Sequence, residues 1–412
     1  MNEKILVLLA RIVEICGTIA FLKLVSNMLS ADDLGLYFLG ASLVSLATTI
    51  VFNPLDQGFL RNADLYERSG THSARYGSGL ILNSSIAILI GVVCLATARE
   101  ITSALDSLKG PLIVWLTLEV MKNFNLATAS ALRDRGRILI STAVDYSLKV
   151  IVLLLLWIKS AVDLTSVIVV LCSSLALNSG CILYGYRQKL RKYSLSISID
   201  TMRDSLIFCW PMMVWGAFGW SQAMAGRWFL EIHASLDAVA IYGVMVSLIT
   251  MPVNALVGVT TTYLFPIIYE LDEGDEERSR RYLSSATLLL LPICLLGFVL
   301  LFFFHSNVIT FFTSDTYVGY SGYLPVMYAA AVSNGLCSIL CGLTFFRRET
   351  HKLILANILP GLFTFFAGFF YVEKYLLEGA VTIYVIANLI AASLFILTFY
   401  RASKASLRIK NI

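Results

Sequence analysis

Ser284-Ser-Ala-Thr-Leu-Leu-Leu-Leu-Pro-Ile-Cys-Leu-Leu-Gly-Phe-Val-Leu-Leu-Phe-Phe-Phe-His305 runs for 22 residues without a single carboxylate, lysine or arginine. At about 1.5 Å per residue such a run crosses the roughly 30 Å hydrocarbon core of a bilayer. Similar stretches recur on both sides of it. Before it come 5–28, 36–58, 76–98, 111–132, 138–158, 163–184, 206–230 and 238–265; after it come 322–345, 353–372 and 380–400. The chain therefore reads as an all-α polytopic membrane protein with about 12 transmembrane helices. Composition agrees, with 58% hydrophobic and 14% charged residues and a mean hydropathy of +0.78. A soluble chain carries about 25% charged residues. The apolar N-terminal run is interrupted by Arg11 and Glu14, which reads as a retained first span rather than a cleaved signal.

The connections alternate in charge. Loops after even-numbered spans carry Arg61, Arg68 and Arg75; Arg133, Arg135 and Arg137; Arg187 to Arg203; Arg278, Arg280 and Arg281; and Arg347, Arg348 and Lys352. With Lys4 and the C-terminal tail that side collects 22 basic residues, against Arg99, Lys109, Lys159 and Lys374 on the other. Basic loops stay in the cytoplasm, so both termini are expected there. The acidic run Asp272–Glu277 reads as a solvated face. The longest outer connection, roughly His305 to Tyr323, is short, aromatic and polar. That opposes a membrane-embedded glycan polymerase or ligase, which needs a sizeable outer loop. A net charge of +4 gives no case for nucleic acid. The 8 cysteines form no CxxC pair or Cys/His cluster, so no metal, cofactor or disulfide framework is expected. No phosphate-binding loop for ATP is present.

Ser30-Ala-Asp-Asp-Leu-Gly-Leu-Tyr37 aligns with Ser235-Leu-Asp-Ala-Val-Ala-Ile-Tyr242, about half the chain later. Each copy leads into an even-numbered span. This predicts two parallel six-helix lobes, 1–200 and 201–412, as transporters with repeated halves have. Ser-x-Asp is also a common helix cap, which is the plainer explanation.

Ionisable residues at membrane depth are the informative ones. Each costs about 2.5–3.5 kcal/mol at a helix centre, and such residues normally face a bundle interior or a watery cavity. Arg11 and Glu14 share one helix face in span one, as do Glu119 and Lys122 in span four, Asp145 and Lys149 in span five, and Arg227 and Glu231 in span seven. Lys23 has no acid three or four residues away. Five bases against four acids predict a slightly cationic cavity. It suits an anionic headgroup on a greasy carrier, with Arg11, Lys23, Lys122, Lys149 and Arg227 as contacts. Glu14, Glu119, Asp145 and Glu231 are then charge partners or coupling-ion candidates. Self-neutralised pairs that only ease insertion or lock packing are the alternative.

Leu29-Ser-Ala-Asp-Asp-Leu-Gly35-Leu-Tyr37 resembles the step between the first two spans of the polysaccharide flippases. More narrowly it resembles the O-antigen (Wzx-type) branch of the multidrug/oligosaccharidyl-lipid/polysaccharide (MOP) exporter superfamily. Trp210-Pro211, Gly226-Arg227, Ala240-Ile-Tyr242 and the step from Phe311 to Pro325 are similar to the family's second half. Gly226 and Ala240 depart from the family's usual Asp-Arg and Gly-x-Tyr, and Glu231 replaces the missing acid. The resemblance implies two lobes around a V-shaped cavity, alternating access, and no enzymatic chemistry. Its implied substrate is an undecaprenyl-diphosphate-linked oligosaccharide for O-antigen, lipopolysaccharide or capsule-type polysaccharide biosynthesis. Membrane lipid, a glycan polymerase and a chain-length regulator are the implied partners. An ion-coupled multidrug exporter of the same superfamily is the rival reading, and it calls for an anionic cavity instead.

Overall fold

The computed structural model describes residues 3–59, 72–101, 105, 108–132, 134–159, 162–190, 199–269, 271, 275–347 and 349–409. Arg61, Arg68, Arg133, Arg191, Lys192, Arg348 and the acidic residues at 272–273 lie outside them. No strand occurs among the described residues. The helices are α1 (Glu3–Met28), α2 (Ala31–Ala47, continued to 59), α3 (His72–Ile101), α4 (Lys109–Ala131), α5 (Arg135–Ile158) and α6 (Leu164–Leu190). There follow α7 (Ile199–His233), α8 (Leu236–Tyr269), α9 (Glu276–Phe312) and α10 (Leu324–Ile339). A 56-residue helical stretch, Ile354–Ile409, breaks at Leu376 (φ 48°) into α11 (354–375) and α12 (377–409). The break turns sharply: a side chain at Gly379 would lie 2.5 Å from the Tyr371 carbonyl oxygen, so glycine is required there. Nine segments among the described residues are long and apolar enough to span a membrane. That number takes α11 and α12 together and leaves out α4 and α7. α4 falls short because Glu119, Lys122, Asn123 and Asn125 occupy its middle.

The chain divides into two compact units, Met1–Trp220 and Ser221–Ile412, with the division inside α7. In the first, α1 packs on α5, α5 on α6, α3 on α4, and α4 on α6. Tyr37 stacks on Trp115 with ring centroids 5.6 Å apart, and Tyr76 stacks on Phe124 at the same distance. Buried Asn125 takes the Tyr76 hydroxyl. α2 opens on a cap in which Ser30 Oγ accepts from the Asp33 amide, and it widens to a π turn at Thr48–Phe52. Pro54 accounts for the turn, since it brings no N–H to the carbonyls behind it. The first half of α7 runs antiparallel along this segment. The Trp220 indole donates to Ser42 O at 2.8 Å and Cys209 Sγ to Pro54 O at 2.9 Å. Gly216 lies between them, against the Thr49 carbonyl, where a side chain would collide.

The second unit packs α8, α9 and α12 against α10, and α11 against the second half of α7, where Phe365 meets Phe229. Its core holds Ile268, Leu283, Leu290, Leu336, Ile339 and Leu343. Ser235 caps α8 by accepting from the Ala238 amide at 3.2 Å, the same device as Ser30 at the matching position. Between α10 and α12, Asn334 Nδ2 donates to Asn388 Oδ1 at 2.8 Å. Arg347 Nη1 reaches Glu276 at 3.0 Å and the Ala402 carbonyl at 2.7 Å, and its Nε lies 3.3 Å from Glu349. One guanidinium thus ties α9, the end of the α10 segment and α12. The connection from His305 to Tyr323 is largely helical. α9 kinks at Phe304 and continues to Phe312, and Asp315–Tyr323 forms a 3₁₀ helix. His305 Nδ1 lies 2.8 Å from Ser321 Oγ, which pins the two together.

Candidate functional site

In the first unit, three pairs expected from helical spacing are closed ion pairs. Arg11 Nη1 lies 2.7 Å from Glu14 Oε2, Lys122 Nζ 2.6 Å from Glu119 Oε1, and Lys149 Nζ 2.9 Å from Asp145 Oδ1. They differ in depth. Asp145 and Lys149 are 3% and 6% exposed, Glu119 and Lys122 are partly buried, and the Arg11 and Glu14 side chains are open.

Tyr146 joins these pairs. It sits on α5 between Asp145 and Lys149, and its ring packs on the bare backbone of Gly17 in α1. Thr18 Oγ1 donates to the Glu14 carbonyl at 2.6 Å and lies 3.1 Å from the Tyr146 hydroxyl. Lys149 Nζ stands 4.9 Å above the Tyr146 ring. Lys122 is an electrostatic neighbour of Asp145 and Tyr146 as well as of Glu119, and Lys149 of Lys122 and Glu119. α6 supports α5 through Asn178, whose Nδ2 donates to Ser141 O at 3.1 Å. Helices α1, α4 and α5 therefore bring Glu14, Glu119, Lys122, Asp145 and Lys149 into one polar cluster around Tyr146.

The cluster is charge-balanced. Three acids face three bases once Arg11 is included, so the expected cationic surplus is not in it. Lys23 follows Glu14 by nine residues, about two and a half turns, which carries it to the opposite side of α1. Arg227 belongs to the second unit. It is 5% exposed, with Nη1 3.1 Å from Met224 Sδ and the Tyr242 phenol nearby. Glu231 is half-buried one turn further on. A side chain at Gly226 would meet the Tyr242 hydroxyl at 3.0 Å, so Tyr242 fills the room that an aspartate there would need. No group of His, Cys, Asp or Glu among the described residues has the arrangement of a metal site.

Solved structures share this architecture along the whole chain. An inward-facing multidrug resistance MATE family transporter of the MOP superfamily superposes with a TM-score of 0.70 at 15% identity, over 100% of this chain and 96% of its own. The lipid II flippase MurJ, in an inward closed conformation, gives 0.70 at 13%, over 98% and 90%. An outward-facing MATE transporter gives 0.63 at 15%, over 100% and 97%. The chain has the MATE and MurJ fold. No protein-family model matches the sequence, and no curated protein does either.

Two residues of this fold escaped the sequence reading. Tyr146 is invisible as a hub because its role comes from contacts with α1. Asp56 is a buried carboxyl within α2, with Asn83 Nδ2 3.4 Å from its Oδ1. Its signal was present: an aspartate two residues after Pro54, inside an expected span.

Proposed function

We propose that this chain is a flippase that carries a lipid-linked, diphosphate-bearing oligosaccharide across the bacterial inner membrane by alternating access of two lobes. The observation that carries the reading is the buried Lys149, held by Asp145 and neighboured by Lys122 and Tyr146. A buried ion pair is poor value for stability, because desolvation offsets most of its attraction. A polyanionic headgroup that replaces Asp145 and Glu119 as the partner of the two lysines gives the pairs a use. The carboxylates hold the lysines while the site is empty, and the diphosphate takes them over during transport. The likeness to a MurJ flippase supports a lipid-linked glycan as the cargo class. The O-antigen or capsule-type repeat unit, with a glycan polymerase and a chain-length regulator as partners, is the finer form of the proposal. The charge asymmetry of the loops supports a cytoplasmic location for both termini in this proposal.

The MATE likeness makes a cationic drug the competing cargo. Vesicles containing only the purified chain decide between them. A polyprenyl-diphosphate glycan on one leaflet should become accessible to an enzyme on the other at a rate that protein-free vesicles lack. Uptake of a cationic dye with no glycan movement would sink the proposal.

A further inference from the structure

A second binding feature lies far along the chain from the cluster, where α9 begins and α12 ends. There the two helices leave an open groove of about 370 Å³. Glu277, Arg280, Arg281, Ser284, Phe399, Tyr400 and Ser403 line it, and because Glu277 is taken up by Arg281 the lining keeps one uncompensated cation. The first turns of α9 are dense in charge, and almost all of it is paired. Arg278 faces Asp275 at 3.5 Å, Glu276 is held by Arg347 at 3.0 Å, and Arg281 reaches Glu277 at 3.3 Å. Arg280 is the exception. It is half-buried on the groove wall, and no hydrogen bond or ion pair engages its guanidinium among the described residues.

The groove sits where charged helix ends give way to lipid-facing surface. One turn beyond Ser284 along α9, Leu288 and Leu289 are 66% and 74% exposed. One turn back from Tyr400 along α12, Ile396 and Leu397 are also exposed. An apolar track therefore leads straight out of a basic, hydroxyl-bearing groove. Tyrosine at such a boundary is placed as interfacial aromatics are, with the ring in the acyl region and the hydroxyl among headgroups. Basic pockets between transmembrane helices are suited to anionic lipid headgroups.

We propose that this groove binds an anionic phospholipid. The Arg280 guanidinium holds the phosphodiester, the Ser284 hydroxyl flanks it, and the acyl chains follow Leu288 and Ile396. A free phosphate ion would use the same guanidinium but not the apolar track, so the occupant is the lipid. The proposal does not depend on which cargo the chain moves.

The test uses the purified full-length chain in neutral detergent. It is given equal amounts of phosphatidylglycerol and phosphatidylcholine with matched acyl chains, and retained lipid is counted by native mass spectrometry. Phosphatidylglycerol should be retained in preference. Arg280→Gln should cut its retention about fivefold, the factor that corresponds to roughly 1 kcal/mol for one basic residue at a lipid surface. Phosphatidylcholine retention should not change. Arg278→Gln, at a residue outside the groove lining, should behave as wild type, and Ser284→Phe, which fills the groove, should reproduce the loss should Arg280→Gln prove unstable. Equal retention of the two lipids, unchanged retention in the groove variants, or displacement by excess glycerol 1-phosphate would each overturn the proposal.

Discussion

Gly17 and Tyr146 interlock: three atoms of the tyrosine, Cβ, Cγ and Cδ1, lie 2.5 Å from where a Cβ on residue 17 would be. The ring is thereby fixed on α1 while its neighbours Asp145 and Lys149 form their pair on α5. Gly17→Ala should push the two helices apart and cost about 1–3 kcal/mol, the usual penalty for overpacking. A melting temperature in detergent unchanged from wild type would show that α5 yields easily and that the contact does not position the cluster.

Lys149→Ala should do more than remove a cation. It leaves Asp145 buried without its partner, a change that costs about 3–5 kcal/mol when the remaining group stays charged. The informative variant is the exchange Asp145→Lys with Lys149→Asp, which keeps the pair but moves its positive end by one turn, about 5.4 Å. Expression should return to normal while glycan translocation stays lost. Recovery of both would mean that the pair serves packing or insertion only.

The two ends of α9 should face opposite sides of the membrane. In a cysteine-free background, Arg278→Cys should react with a membrane-impermeant maleimide only after the cytoplasmic side is opened. Gly319→Cys, in the exposed 3₁₀ segment beyond α9, should react from outside in intact cells. Ser279 is fully buried and is no use as a label site. Reaction of both positions from one side would break the twelve-helix topology.

That background should itself be tolerated. The cysteines whose side chains are described are all free, and Cys209 alone donates a hydrogen bond to another helix. Replacing all eight with alanine should cost about 1 kcal/mol, the worth of that bond, and leave translocation in place. Loss of activity with normal insertion would reveal a thiol with a job.

Arg347→Gln should loosen the second unit. Glu276, Glu349 and the Ala402 carbonyl all lose their shared donor, at a cost of about 1–3 kcal/mol for groups that are mostly but not fully buried. Thermal unfolding in detergent measures it. A wild-type melting temperature would mean that water replaces the guanidinium without penalty.

Helix positions and three of the ion pairs were legible in the sequence because both follow from local rules. A run of apolar residues has a length, and i,i+3 or i,i+4 charges share a face, so Glu119–Lys122 needs no tertiary knowledge. What was not legible depends on partners distant in sequence. The 128 residues between Thr18 and Tyr146 conceal their contact. The helical order of the connection after Phe304 was not legible for a related reason, since it depends on Ser321 folding back on His305. Asp56 was legible, as a lone carboxylate inside an apolar run two residues after Pro54.

The π turn of α2 has a consequence for how the gene tolerates change. Trp220 and Cys209 grip α2 at Ser42 and Pro54, on either side of Thr48–Phe52. The wider turn absorbs one residue beyond what a regular helix would carry between the two grips. Deleting one residue from 48–52 lets the turn close to α-helical hydrogen bonding and leaves the grips in phase. Inserting one there, with that slack already spent, lengthens the rod by about 1.5 Å and rotates its far end by roughly 100°. Only one grip then finds its carbonyl, so a single-codon deletion within this segment should be far better tolerated than a single-codon insertion.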